Sequence, residues 1–421
     1  MKKTLLLLAL LLPALSWGQE KDAKPKVSIH GFIRTDAVVD SRQNVYALEG
    51  LYSVFPKKPE LDSNGQDLND QASARELSLF SRLSFRITGP DVFNAKTSGL
   101  FEFDAIGSTG AAGTNNVLRF RHAYVKLDWQ KSSLLVGRSW HPLFVTSTFP
   151  VVLNLNTGIP YQPFNRAPQI RFTQNLNKTL KAQITACYQS QYSSVGPDGK
   201  SPDYQRNAVA PNMNFLLKTE SKNFKAGVAY DLLTLQPFNE TTIDEKTYKN
   251  TDLLTSHRFM AYADLTSGDF EVKVKGMYGQ NMSDQLLGGG YAITNINQNN
   301  GKVDYTQSCN ANGFVEFFYK TSDRLKLALF GGYMKNFEYE DDIYQSGEDT
   351  KNNVFGKYTD VDYSYRIAPA VYYKVKNLQL AAEYEYTVAA YGDVDYSNKA
   401  KISNSEEVAN NRVTLSLSYF F

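Results

Sequence analysis

The sequence predicts an all-β protein, a transmembrane antiparallel β-barrel of sixteen strands. Three observations predict it. Apolar and polar residues alternate in segment after segment, as in strands with one face in an apolar environment and one in water. Beyond the N-terminal leader there is no apolar stretch of about 18 residues, so helical spans are excluded. Short and long connections alternate along the chain. A mean hydropathy of −0.40 suits a barrel, because only every second residue of each strand meets lipid.

The chain opens with Lys2 and Lys3, an apolar run from Leu5 to Leu12, then Pro13 and the small-residue stretch Ser16–Gly18. This is the pattern of a secretory signal peptide over residues 1–18, cleaved after Gly18. Residues 19–421 are expected to form one domain, since no Pro/Gly-rich linker or change of composition divides them. Removing Lys2 and Lys3 from a formal charge of +2 leaves a mature chain of zero net charge. No global basic field argues for a nucleic-acid partner. The 27 Tyr and 25 Phe against 2 Cys fit β structure that does not depend on disulfides.

Period two is clearest in four places. Leu77, Leu79, Leu83, Phe85 and Ile87 alternate with Glu76, Ser78, Arg82, Ser84 and Arg86. Leu180, Ala182, Ile184, Ala186 and Tyr188 alternate with Lys181, Gln183, Thr185, Cys187 and Gln189. Val361, Tyr363, Tyr365 and Ile367 oppose Asp362, Ser364, Arg366 and Ala368, and Leu378, Leu380, Ala382, Tyr384 and Tyr386 oppose Gln379, Glu383 and Glu385. Sixteen such segments begin near residues 27, 75, 96, 118, 134, 168, 179, 210, 223, 253, 270, 303, 324, 359, 378 and 409. Their even number lets both termini lie in the periplasm. Short turns fall at 89–95, 130–133, 177–178, 220–222, 266–269, 321–323 and 375–377, with long polar connections including 40–74, 141–167, 236–252, 282–302 and 392–408 between them. Sixteen strands leave a lumen wide enough for water.

The last strand sets Val413, Leu415, Leu417, Tyr419 and Phe421 on one face and ends on an aromatic residue. Such an end resembles the assembly signal of outer-membrane proteins. Ser81–Gly89 (SRLSFRITG), Arg121–Leu127 (RHAYVKL) and Leu134–Arg138 (LLVGR) resemble, in order and spacing, motifs of the gram-negative porin superfamily. The resemblance covers about a hundred residues in detail. It implies a trimer, a third loop over residues 141–167 that folds inward to narrow the pore, and a basic wall facing it that includes Arg82 and Arg121, with Arg166 or Arg171 after the loop. One departure is plain. Acidic residues are common in that loop in the family, whereas here no Asp or Glu lies between Asp128 and Asp198, an interval holding Lys131, Arg138, Arg166, Arg171, Lys178 and Lys181.

The candidate constriction residues are Arg82, Arg86, Arg119, Arg121, Arg138, Arg166 and Arg171 with Glu102 and Asp104. Guanidinium groups facing the lumen would set the electrostatics of the narrowest section. Alternatively they pair with Glu76, Glu102 and Asp104 and only stiffen the wall. In the fourth segment Phe120 shares a parity with His122, Tyr124 and Lys126, which leaves its orientation ambiguous; Arg119 and Arg121 are taken as inward. The third connection, with Phe144, Phe149, Val151, Val152, Leu153, Tyr161 and Phe164 and five prolines nearby, is too apolar to stand in water and is expected to pack against something: inside the lumen, as the resemblance implies, or alternatively over the barrel mouth or against a neighbouring subunit.

His30, His122, His141 and His257 show no metal-ligand spacing, and no nucleophile or phosphate-loop motif occurs. No catalysis, metal or cofactor is expected. Cys187 and Cys309 fall on non-adjacent strands and are expected to be free thiols, and the acidic run Glu338–Asp342 to be a solvated loop. The expected function is a water-filled outer-membrane channel for passive diffusion of small hydrophilic solutes, anion-favouring, as a homotrimer in contact with membrane lipid and lipopolysaccharide. The alternative is a substrate-specific channel or surface receptor whose site is built from the long first and third loops.

Overall fold

A computed structural model describes residues 24–47, 50–109 and 115–421; the expected signal peptide lies outside them. Sixteen strands form the wall, numbered here β1 to β16. They are β1 Lys26–Asp40, β2 in two pieces Ser73–Leu77 and Arg82–Thr88, β3 Lys96–Thr109, β4 Asn115–Asp128, β5 Ser132–Trp140, β6 Arg166–Asn175, β7 Leu180–Cys187 and β8 Asn212–Glu220. The second half comprises β9 Phe224–Leu235, β10 Leu254–Ser267, β11 Phe270–Gln280, β12 Val303–Lys320, β13 Leu325–Tyr339, β14 Val361–Val375, β15 Leu378–Asp395 and β16 Lys401–Phe420. Each pairs antiparallel with the next, and β1 closes the barrel on β16 from Phe32↔Phe420 to Asp40↔Arg412. Closure removes every free edge, which a lipid environment requires. The C-terminal Phe421 exchanges both backbone hydrogen bonds with Gly31. A Cβ at Gly31 would stand 2.8 Å from the Phe421 ring, so glycine is what admits that aromatic end.

The faces follow the alternation. Leu415 is 55 % and Leu417 45 % exposed, whereas Ser416 between them is 6 % exposed. Leu415 and Leu417 face outward into the lipid belt and Ser416 inward. Ile184 and Tyr384 stand on the same outer face, and Phe85 and Tyr363 are partly covered there by Phe103 and Tyr333.

Strand β4 breaks the alternation once. In its pairing with β3, Glu102 faces His122 but Phe103 faces Phe120, so Arg121 is an extra residue, a β-bulge. Phe120 and Val125 are exposed outside, while Arg121 and His122 are both buried inside and Tyr124 and Lys126 line the lumen. One inserted residue thus lets an outward Phe120 and an inward Lys126 share a sequence parity.

Two connections differ from expectation. Residues 392–408 are not a loop: β15 and β16 run on as a hairpin whose turn is only 396–400. The 20 residues of β16 extend roughly 66 Å at about 3.3 Å per residue, far more than the ~30 Å hydrocarbon layer, so their ends stand in water on both faces. The stretch 282–302 contains a strand, Gly289–Ile296, that pairs with the top of β12.

Candidate functional site

The connection between β5 and β6 lies inside the barrel. Leu143, Phe144, Leu153, Ile159 and Tyr161 are all less than 5 % exposed, and each side chain so covered contributes roughly 1.5–3 kcal/mol to docking the loop. Its polar backbone is satisfied by the far wall. Glu316 of β12 accepts the Val151 N–H at 2.9 Å, and Glu383 of β15 accepts those of Leu153 at 2.8 Å and Asn154 at 3.2 Å. Glu385 accepts the Asn154 side-chain amide at 3.0 Å. Arg366 of β14 donates to the Ile159 carbonyl, Arg34 of β1 to that of Leu153, and Tyr161 bonds Ser364. On β13, Gly332 has no side chain because the Tyr161 ring would lie 2.4 Å from its Cβ.

Other connections also turn inward, which the sequence did not announce. The first carries a hairpin, Asn44–Ala47 with Tyr52–Pro56, whose Ser53 carbonyl accepts the side-chain amides of Asn154 and Asn156. The connection between β11 and β12 is fastened by Arg258 of β10, which binds Asp284 at 2.7 Å and Asp231 of β9 at 3.5 Å, all three buried. It meets the third at a bond from the Phe164 N–H to the Gln285 carbonyl.

What remains open runs along β2 to β6, a cavity of about 890 Å³. Its lining includes Arg82, Arg119, Arg121, Lys126, Arg171, Lys200 and Lys357 but one carboxylate, Glu102. Asp104 lies just behind it, 1 % exposed. Arg119 grips Asp104 with two bonds of 3.0 and 2.8 Å, and Arg121 bridges Glu102 at 2.7 Å and Asp104 at 2.8 Å. Arg82 stands 3.7 Å from Glu102. Three cations and two carboxylates therefore form one network of net charge +1. No carboxylate lies within ion-pair distance of Arg171, Lys200 or Lys357 among the described residues.

The arginines of the cluster are paired as a wall network, and the lining of the passage keeps a positive surplus. Burial draws the pKa of Lys200 below that of an ordinary lysine, and burial together with nearby Lys200 does the same to Lys357. Both belong to extracellular loops.

The expected residues do not all meet. Arg82, Glu102, Asp104, Arg119 and Arg121 form one cluster, and Arg171 borders the same cavity, donating to the Trp140 carbonyl at 2.6 Å. Arg166 is fully buried behind it, with its guanidinium 4.7 Å over the Trp140 ring and one bond to the Tyr192 hydroxyl. Arg138 is half-buried and donates to Gln191. Arg86 stands apart from the cluster: it is exposed near the short-turn end of β2, paired in register with Leu100 and Ser28, and is not among the residues that line the cavity. His122, Lys126, Lys200 and Lys357 border it unannounced.

No family model and no curated protein matches the chain. Solved structures do. The outer membrane channel DcaP of Acinetobacter baumannii aligns with a TM-score of 0.67 at 18% identity, over 97% of this chain and 100% of that one. The anion-selective porin from Comamonas acidovorans aligns at 0.56 and 10% identity, over 94% and 100%. OmpT of Vibrio cholerae in its trimer form aligns at 0.54 and 12% identity, over 94% and 99%. The chain thus has the fold of the outer-membrane porins.

Proposed function

We propose, from a barrel of the porin fold, that this chain is an outer-membrane channel for passive diffusion of small hydrophilic solutes and that it favours anions. The observation that carries the reading is the cavity lining of seven Lys and Arg against one carboxylate. A surplus of fixed positive charge in a narrow passage raises the local anion concentration, because low-dielectric walls focus the field. The acidic residues of the opposite wall do not cancel it, since Glu316 and Glu383 are covered by the third loop. Export after cleavage of residues 1–18, a homotrimer, and contact with membrane lipid and lipopolysaccharide belong to the same reading. The trimer form of OmpT lends support to the assembly.

Zero-current potential across a planar bilayer under a tenfold KCl gradient tests it, against a limit of about 59 mV for a perfectly selective univalent pore. The native channel should take the sign of anion preference. Replacing both Lys200 and Lys357 by Gln should lower it without stranding a carboxylate, and Arg119→Gln with Arg121→Gln, which leaves Glu102 and Asp104 in excess over Arg82 in their network, should lower it too while Lys126, Arg171, Lys200 and Lys357 keep the passage positive. Cation preference in the native protein refutes the reading. One observation favours the second reading, a substrate-specific channel: Tyr46, Tyr52 and Val54 of the first connection and Phe144, Phe149 and Phe164 of the third border one cavity.

A further inference from the structure

The passage is basic along its strand wall and aromatic along its loops. Tyr52, Phe149 and Tyr358, from the connections between β1 and β2, β5 and β6, and β13 and β14, each present a half-buried ring to the cavity that Arg82 and Arg121 line. Lumen-facing positions of a diffusion channel need only be polar, and rings left wet there are covered at a gain only when a solute lies against them. Behind them Arg166 is a fully buried cation without a carboxylate partner, its Nε and Nη1 unbonded. A buried unpaired charge is costly, and an anion in the cavity would offset it.

We infer that this cavity is a binding site for aromatic carboxylates, solutes that combine one anionic group with a flat apolar ring. The inference rests on the channel reading above and names the solute class. The carboxylate is taken by the guanidinium group of Arg82, which stands 3.7 Å from Glu102 and not in a close pair and whose planar fork suits it, and the ring by the loop aromatics. A neutral sugar would leave the cations unmatched, and an inorganic or short aliphatic anion would leave the rings wet. A volume of about 890 Å³ lies within the span of small-molecule pockets, about 300–1,000 Å³.

The test adds benzoate, acetate or benzyl alcohol to single channels carrying KCl current. Benzoate should reduce the current saturably at concentrations where acetate and benzyl alcohol do not. Arg82→Gln with Phe149→Leu should weaken that effect at least tenfold in protein that still migrates as a heat-modifiable barrel. Equal effects of benzoate and acetate, or undiminished benzoate block in the variant, overturn the inference. Absence of any conductance overturns the channel reading instead. The site is then still judged by saturable quenching of Trp140 fluorescence by benzoate in detergent, which supports it if present and refutes it if absent.

Discussion

Glu383→Ala isolates what holds the third loop against the far wall. Glu383 accepts two backbone N–H groups, from Leu153 and Asn154, and a hydrogen bond to a charged group is worth about 1.5–3 kcal/mol. Its removal should weaken docking of the loop tip by about 3–6 kcal/mol, or roughly two to four powers of ten in the docked-to-released ratio. Relief of repulsion between Glu383 and the adjacent Glu385 offsets part of this. Glu316 still holds Val151, and Arg366 still holds Ile159, so the tip should loosen while the rest of the loop stays. Hydrogen exchange at the Leu153 and Asn154 amides should quicken by that factor, and single-channel records should show new noise and larger conductance substates. Glu383→Gln, which keeps one acceptor, should fall between. Native protection of both amides in the Ala variant, with native conductance, would refute the clamp.

Leu415→Arg should destabilise the folded barrel in bilayers by roughly 2–4 kcal/mol if near the midplane, read from urea titration, whereas Ser416→Arg would meet the lumen and cost the membrane nothing. Gly332→Ala should displace the Tyr161 ring, which a Cβ would meet at 2.4 Å, with a loss on the order of 1–3 kcal/mol visible as a lower melting temperature. Because burial lowers the pKa of Lys200 and Lys357, they lose their protons at lower pH than ordinary lysines. Anion preference should therefore decline as pH rises from neutral, and Lys200→Gln with Lys357→Gln should flatten that decline; an undiminished slope in the double variant refutes the assignment.

The wall was legible because lipid on one side and water on the other impose period two on every strand, and fifteen of the sixteen strands begin within three residues of where that period starts. The exception shows why. At Lys401–Ser405 the β16 strand has left the membrane, both faces are wet, and the alternation that marks a strand disappears. The bulge left a trace that could be read: Phe120 and Lys126 share a parity but not a chemistry, and only an extra residue between them reconciles an outward ring with an inward ammonium. Height along the barrel left none. Arg82 and Arg86 share a face of β2, yet only Arg82 reaches Glu102. The inward fold of the third connection was visible in its apolar residues; the first carries the same signal in Leu51, Val54 and Phe55, all buried, but as a short apolar hairpin inside a long polar connection.

The acid-free interval from Trp129 to Pro197 follows from how the loop is held. Its tip meets the far wall backbone first, and the groups that receive it are the carboxylates Glu316, Glu383 and Glu385. An Asp or Glu on that tip would bring a like charge into a confined, poorly screened space, where repulsion is far stronger than in water. Asn154 occupies the closest position instead, donating its amide to Glu385 and to the Ser53 carbonyl. With the wall carboxylates occupied by amides and the loop carrying none, the side of the passage opposite Arg82 and Arg121 has no acidic face to present. The same arrangement that docks the loop therefore leaves the arginine wall electrostatically unopposed.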